Sequence, residues 1–313
     1  MPIKIQSGLP ARKILEEENI FVMTERRATT QDIRPLKIAI VNLMPTKIAT
    51  ETQLLRLLGN TPLQIEVSLV NMESHLAKNV AHDHLRRFYI SPADVLRSRY
   101  DGMIITGAPV EQIPFEEVDY WKELCAIMDY ARRNVFCTLF ICWGAQAGLY
   151  YHYGLPKVQL QKKFFGVFPY RRALRNDPLM RGFDDCFPCP QSRHTTVRRG
   201  DILSRKELVI LAESAPGVNT GDEPDVLIAR SRSCREIYMT GHLEYDAETL
   251  GDEYFRDQER GLPIEVPRDY FPGDDPGNRP ASSWRSTAHL FYSNWLNYYV
   301  YQETPYEFAI EKG

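Results

Sequence analysis

Short apolar runs, separated by turns and by segments with helical spacing, fill the first half of the chain. Residues 37–43, 101–106 and 135–141 are patterned as strands buried on both faces, and 64–70 alternates as a strand with one half-buried face. Apolar residues recur at helical spacing over 116–133. Strands that alternate with helices in this way predict an α/β fold with a doubly wound, mostly parallel sheet.

The pattern changes after Pro156. A Pro-, Gly- and Asp-rich stretch at 261–280 predicts a long loop, and an aromatic helix is predicted over 283–301. Before that loop, shorter segments with β-type patterning predict that the sheet continues as a mixed or antiparallel extension. These segments are 163–168, 194–198, 208–212, 225–229 and 236–240.

The domain organisation follows from these patterns. Residues 1–35 are polar and irregular and predict an N-terminal arm with a short helical stretch at 11–19. Residues 36–302 predict a single α/β domain, and 303–313 predict a C-terminal tail. A chain of 313 residues that is 43% hydrophobic and 25% charged can bury the core of such a domain.

Composition and charge exclude several classes of partner. The net charge of −3 lacks the basic excess of a nucleic-acid-binding protein. Apolar runs stay well short of the roughly 18 residues that a membrane span needs. The first residues carry no signal-peptide pattern, so we expect a cytoplasmic protein whose six cysteines are reduced.

No metal site is predicted. His82 and His84 have no accompanying cluster of cysteines or carboxylates. Cys186 and Cys189 form one C-x-x-C, which lacks the second ligand pair of a zinc site. A redox-sensitive pair is the alternative for these two cysteines, and packing is the interpretation that we favour.

Cys142 lies between a predicted strand that ends at Ile141 and a predicted helix that begins near Gly144. This turn would place the sulfur at the carboxyl end of the sheet, where ligands bind in such folds. It would also place the thiol at a helix N-terminus, whose dipole stabilises a thiolate. The amide of Trp143 would then face the position of an oxyanion, as in nucleophile elbows built on serine. We therefore predict that Cys142 is a catalytic nucleophile.

A thiol nucleophile needs a base and a third group that orients the base. His242 follows a predicted strand, again at a carboxyl end, and Glu244 stands two residues further on. The other six histidines lack this strand–Gly–His–x–Glu context. The predicted catalytic set is therefore Cys142, His242 and Glu244.

Five motifs in order resemble the homoserine O-acyltransferases of the MetA type. The nucleophile turn also resembles that of class I glutamine amidotransferases, but Phe140 stands where their pattern has a glycine. The C-x-x-C pair and a large loop at 213–225 depart from the MetA pattern. The five motifs are 42–47 (NLMPTK), 106–111 (TGAPVE), 142–146 (CWGAQ), 241–246 (GHLEYD) and 294–302 (NWLNYYVYQ).

The resemblance implies a flavodoxin-like, class I glutamine amidotransferase-like fold and a ping-pong acyl transfer. Cys142 would take the acyl group from acyl-CoA as a thioester, with amides near Gly107 and at Trp143 as oxyanion donors. His242, oriented by Glu244, would activate the hydroxyl of L-homoserine. The expected reaction needs no cofactor besides acetyl-CoA as co-substrate, and the family implies a homodimer.

The same resemblance implies three substrate-binding residues. Lys163 would offer a cation to the amino-acid carboxylate or to the CoA side, and the hydroxyl of Ser192 would contact homoserine. Arg256 would bind the α-carboxylate, for which the guanidinium fork is suited.

Glu111 is implied to select the acyl donor. In this family a small residue at that position accompanies succinyl transfer and a glutamate accompanies acetyl transfer. A carboxylate there would fill space and repel the terminal carboxylate of a succinyl group. We therefore expect a homoserine O-acetyltransferase. Succinyl transfer is the alternative, and a glutaminase or amidotransferase is a more distant one, because the chain has no nucleotide-binding motif.

Overall fold

A single sheet of twelve strands runs through the protein, whose structure is a computed structural model. It describes residues 3–4, 6, 8–17, 22–23, 34–74 and 82–304. Its strands are β1 (Ile3–Lys4), β2 (Val22–Met23), β3 (Leu36–Val41), β4 (Ile65–Val70), β5 (Tyr89–Ile90), β6 (Gly102–Ile105), β7 (Cys137–Ile141), β8 (Val158–Arg172), β9 (Cys186–Thr196), β10 (Leu208–Ser214), β13 (Val226–Ser231) and β14 (Glu236–Met239). Two further strands, β11 (Asn219–Thr220) and β12 (Glu223–Pro224), form a separate hairpin. The strand order in the sheet is β2-β1-β4-β3-β6-β7-β14-β13-β10-β8-β9, and β5 pairs with β4.

Helices connect and cover the strands of this sheet. The α-helices are Ala11–Glu17, Lys47–Leu58, His82–Phe88, Pro92–Arg97, Trp121–Asn134, Trp143–Tyr153, Arg199–Leu203, Thr249–Glu259 and Arg285–Asn294. Short 3-10 helices lie at Phe115–Glu117, Pro178–Met180 and Pro272–Asp274, and a π-helix at Trp295–Tyr301 follows the last α-helix.

The strands from β4 to β14 are parallel and form the half of the sheet predicted from the apolar runs. The chain begins this half at β3, turns back to β4 on one side, and then continues through β6, β7 and β14 on the other. The carboxyl ends of neighbouring parallel strands therefore meet where the strand order reverses, which is where open α/β sheets bind their ligands. The predicted doubly wound α/β fold is confirmed.

The sheet continues through the antiparallel strands β13, β10, β8 and β9, as the second half of the pattern predicted. The boundaries of β9 were predicted wrongly, since the strand starts at Cys186 and not near His194. Pro188 and Pro190 argue against a strand when read in isolation. They are tolerated because β9 is the edge of the sheet, where an absent N–H group breaks no central ladder.

Two predicted helices are also divided. The stretch 116–133 contains the end of a 3-10 helix and then the α-helix Trp121–Asn134. The aromatic helix changes from α to π at Trp295. Its aromatic stripe, which includes Phe291 and Trp295, is fully buried, so these side chains belong to the core.

The described part of the predicted N-terminal arm packs on the domain. Ile3–Lys4 pairs in parallel with β4, and the buried Leu15 belongs to the same hydrophobic cluster as Leu54 and Leu55. Parts of the predicted stretch 11–19 and of the predicted tail 303–313 lie outside the described residues. The domain boundaries stay a prediction.

Among the described residues, none of the helices has the length and apolar character that crossing a membrane requires.

The helix Trp143–Tyr153 lies unusually close to the sheet because of two glycines on one of its faces. A Cβ atom at Gly144 would stand 2.6 Å from the carbonyl oxygen of Thr106 and 2.8 Å from that of Ile105. A Cβ atom at Gly148 would stand 2.8 Å from the side chain of Phe140. The first contact is with backbone, which cannot move aside as a side chain can.

We predict that Gly144→Ala destabilises the protein by about 1–3 kcal/mol, the usual cost of overpacking, despite the higher helix propensity of alanine. Gly200→Ala is the matched control, because this helical glycine faces only the flexible carboxylate of Glu223, at 3.3 Å. Urea unfolding of both variants measures the effect. An unchanged unfolding midpoint for Gly144→Ala would contradict this close approach of the helix to the sheet.

Candidate active site

Cys142 adopts a backbone conformation that side chains rarely take. It stands between β7 and the helix Trp143–Tyr153, with φ 51° and ψ −115°. This strain is held from both sides, because its N–H donates to the carbonyl of Met239 at 2.7 Å and its carbonyl accepts from the N–H of Gln146 at 3.1 Å. The result is the strand–turn–helix elbow predicted from the sequence, with the thiol almost completely buried.

His242 and Glu244 reach this elbow from the neighbouring strand. β14 pairs with β7 so that Met239 lies beside Ile141, and the chain then turns to present His242. The His242 Nδ1 lies 2.7 Å from the Glu244 Oε1, and both side chains are buried. This contact leaves Nε2 of the imidazole for Cys142.

The electrostatics of the three side chains favour a charged imidazole. Burial alone would lower the pKa of His242, but the attraction of Cys142 and Glu244, and its hydrogen bonds to both, outweigh burial. The pKa of His242 is therefore raised well above its ordinary value. A protonated imidazole at this place can stabilise a thiolate, which is the reactive form of cysteine.

Gly107, two residues after the end of β6, lies against the side chains of Cys142 and His242. A Cβ atom there would stand 3.8 Å from the Sγ of Cys142 and 3.7 Å from the Cε1 of His242, so a side chain would fill the space beside the thiol. Trp143 is the first residue of its helix, and its N–H is one of those that find no carbonyl within the helix. These two positions can provide the backbone N–H groups of an oxyanion hole.

Tyr245 is a neighbour of the imidazole that the sequence reasoning missed. Its ring stacks on His242 with 4.0 Å between ring centroids and 12° between planes. Burial and then the charges of Glu253, Glu244, Cys142 and Glu111 raise the pKa of its phenol well above the ordinary value. Tyr245 is thus in contact with His242 and within electrostatic reach of the carboxylates of Glu111 and Glu253.

Glu111 is held beside the elbow helix by a short hydrogen-bond chain. The single proton of the Thr195 hydroxyl is shared between two acceptors, the Glu111 Oε2 at 3.2 Å and the Gln146 Oε1 at 2.7 Å. The Gln146 Nε2 donates in turn to the Thr195 carbonyl at 3.0 Å. Gln146 is fully buried on the helix that starts at Cys142, so the position of Glu111 is coupled to the elbow.

The three predicted substrate-binding residues meet at a fourth, Glu253. Lys163 Nζ lies 2.6 Å from the Glu253 Oε1, and the Ser192 hydroxyl donates to Oε2 at 2.8 Å. Arg256 lies 3.8 Å from the same Oε1 and pairs at 2.7 Å with Asp257. The group combines two cations and two carboxylates and can bind a zwitterion.

The sequence held partial signals for the residues that were missed. Glu253 stands three residues before Arg256 on one helix, and Gln146 stands four residues after Cys142, so each pair shares a helix face. Tyr245 is adjacent to Glu244. No local signal marks Thr195, because its role depends on the pairing of β9 within the sheet.

The other cysteines are placed differently from Cys142. Burial raises the pKa of Cys137 and of Cys189, and it raises the pKa of Cys125 to about 12. Cys189 packs against Gly241 in the core, and Cys186 is exposed. In the part of the chain that the structure describes, no cluster of three or more His, Cys, Asp or Glu side chains could hold a metal ion.

We predict that His242→Asn slows alkylation of Cys142 by iodoacetamide at neutral pH by about tenfold or more, because the thiolate loses its positive neighbour. The raised pKa of His242 keeps the imidazole charged below that pKa, so the difference should shrink as the pH rises through it. Timed alkylation with peptide mass spectrometry measures both effects, and the exposed Cys186 is the internal control. Equal rates for wild type and variant at every pH would contradict the ion-pair interpretation.

Comparison with solved structures supports the fold. A glutamine amidotransferase from Methylobacillus flagellatus superposes with a TM-score of 0.53 at 13% sequence identity, over 90% of this chain and 100% of that chain. At this identity the likeness concerns the fold alone. It confirms the predicted class I glutamine amidotransferase-like architecture.

Comparison of sequences is more specific. A protein of Petrotoga mobilis named homoserine O-acetyltransferase is 56% identical over 98% of this chain and 97% of its own. A protein of the same name from Bacillus mycoides is 57% identical over 98% of this chain and 99% of its own. The model of the homoserine O-succinyltransferase family matches residues 2–306. The chain belongs to this family, the one that its five motifs predicted.

Proposed function

We propose that this chain is a homoserine O-acetyltransferase, which transfers the acetyl group of acetyl-CoA to the hydroxyl of L-homoserine. The observation that carries the proposal is the elbow at Cys142, with His242 and Glu244 beside it and the carboxylate of Glu111 fixed close by. The names of the relatives at 56–57% identity support the same activity.

In the first half-reaction, the Cys142 thiolate attacks the thioester carbonyl of acetyl-CoA. Negative charge develops on the carbonyl oxygen, and N–H groups at Gly107 and Trp143 would stabilise it. The intermediate collapses with cleavage of the carbon–sulfur bond to CoA. The imidazolium of His242 gives its proton to the departing sulfur, which leaves an acetyl-thioester on Cys142 and a neutral imidazole.

In the second half-reaction, neutral His242 accepts the proton of the homoserine hydroxyl through Nε2 as the oxygen attacks the thioester. Glu244, at 2.7 Å from Nδ1, fixes the tautomer and stabilises the imidazolium that forms. Loss of the Cys142 thiolate releases O-acetyl-L-homoserine. The thiolate–imidazolium pair is then restored for the next cycle.

The cluster around Glu253 suits the acceptor. Arg256 is about half exposed and offers a guanidinium fork to the α-carboxylate. Glu253 provides the negative partner for the α-ammonium group. Ser192 donates its proton to Glu253, so its oxygen is free to accept from the substrate. Lys163 then either holds Glu253 in place or binds the α-carboxylate of homoserine together with Arg256.

Glu111 favours acetyl over succinyl as the transferred group. Its carboxylate is half-buried and hydrogen-bonded, so it cannot easily swing away from a second carboxylate. Like charges in a site of low dielectric repel strongly.

The proposal extends to the location and the oligomeric state of the protein. The six unpaired cysteines support a cytoplasmic location. The family resemblance supports a homodimer.

Mass spectrometry of the intact protein tests the proposal. Acetyl-CoA alone should add one acetyl group to the wild type and none to Cys142→Ser, and L-homoserine should remove it. Glu253→Gln should still be acetylated but should release the group to homoserine more slowly. Hydrolysis of glutamine without acylation would support the amidotransferase alternative and sink the proposal.

We expect Glu111→Gly to shift the ratio of kcat/KM for succinyl-CoA over acetyl-CoA by about tenfold or more, which corresponds to about 1.4 kcal/mol. Glu111→Gln is the matched control, since it keeps the volume and removes the charge, so the difference between the two variants isolates the space. Steady-state rates with both donors provide the measurement. A ratio unchanged in both variants would remove Glu111 from donor selection.

A further inference from the structure

A cavity of about 760 Å³ lies beside the candidate active site and shares Lys163 with it. Its walls are the first half of β8, the end of β9, the hairpin of β11 and β12, and the segment 265–268. Its volume falls within the usual range of small-molecule sites. It exceeds what an amino acid of the size of homoserine requires.

An irregularity of β8 opens this cavity. Gln159 pairs with Thr195 and Phe164 with Arg193, so the four residues 160–163 of β8 oppose His194 alone on β9. Bulges of this kind redirect side chains and are common next to active sites. Here the bulge places Lys162 and Lys163 on the cavity wall.

The cavity is continuous with the residues of the proposed reaction. Lys163 lines it and also reaches Glu253 at 2.6 Å. A ligand in the cavity therefore borders the cluster of Lys163, Ser192 and Arg256 around Glu253.

The charge of the walls favours an anion. The basic lining residues are Lys162, Lys163, Arg198, Arg199 and Arg268, and the acidic ones are Asp222, Glu223 and Glu265.

Several of these cations are available to a ligand. The exposed side chain of Arg198 makes no hydrogen bond or ion pair with the described residues. Lys162 pairs with Glu265 at 3.2 Å and Arg268 pairs with Asp269 at 3.1 Å, with each side chain more than half exposed. Exposed pairs of this type are worth little and exchange readily for a phosphate.

We propose that this cavity binds the CoA portion of the acyl donor, with the phosphates held by Arg198, Lys162 and Arg268 and the pantetheine arm directed past Lys163 towards Cys142. The inference rests on the proposed function, since it assumes that the donor is an acyl-CoA. It adds where the donor binds and which cations recognise it.

Acylation of Cys142 by two donors tests the proposal. Acetyl-CoA carries the phosphates, whereas S-acetyl-N-acetylcysteamine presents the same thioester without them. Arg198→Glu should lower the second-order rate of acylation by acetyl-CoA by about tenfold or more, the effect expected for a lost charged hydrogen bond. The rate with the small thioester should not change. Lys206→Glu, an exposed charge reversal outside the cavity, is the matched control and should alter neither rate.

Binding of CoA itself to Cys142→Ser, measured by calorimetry, separates the two proposals. Arg198→Glu in that background should weaken binding by about tenfold. If acetyl-CoA acylates the protein but neither acylation nor binding depends on Arg198, the cavity is not the CoA site and the proposed function stands. If CoA binds through Arg198 but no acyl group is transferred, the proposed function fails and the binding site stands. Equal slowing with both donors, or no binding of CoA, overturns the inference.

Discussion

The contact between the elbow helix and the end of β6 is the constraint on which the site depends. Gly144 lies so close to the carbonyl oxygens of Ile105 and Thr106 that no side chain fits between them. This closeness fixes where the helix begins and so forces the turn at Cys142 into its strained conformation. The same approach brings the thiol against Gly107, at the end of the neighbouring strand. Backbone packing thus brings Cys142, the predicted nucleophile, together with its candidate oxyanion donors.

The parallel pairing of β7 and β14 positions His242, the predicted base, at the same edge of the sheet. Because Met239 lies beside Ile141, the residues that follow both strands emerge at the same edge of the sheet. The N–H of Cys142 continues this ladder to Met239, and the N–H of His242 donates to Pro190 on β9 at 3.0 Å. The imidazole is therefore fixed between the parallel half of the sheet and its antiparallel extension. Neither half alone would position it.

Sequence patterns predicted the parallel half of the sheet and the proximity of Cys142, His242 and Glu244, because both depend on local signals. A buried run followed by Cys142 and small residues marks an elbow, and parallel strands bring His242 to the same edge. The limits of β9 and the roles of Thr195 and Glu253 could not be predicted in this way. They depend on which strand forms the edge and on which side chains meet across it, and the prolines of β9 pointed locally to a loop.

Glu253 changes which ligands the cluster of Lys163, Ser192 and Arg256 can hold. Lys163 and Arg256 could each bind a carboxylate. Without a negative group beside them they would also attract the carboxylate of a succinyl group or a phosphate. Glu253 offsets this excess, and its carboxylate is held by Lys163 and Ser192 in a fixed position. A zwitterion could pair each of its two charges with an opposite charge of this cluster. A simple anion would be repelled by the carboxylate of Glu253. Of the cations that line the adjacent cavity, Arg198 has no ion-pair partner among the described residues, so positive charge is left uncompensated there and not in the cluster around Glu253. A zwitterion and a phosphate anion would thus be distinguished by where each finds unpaired charge.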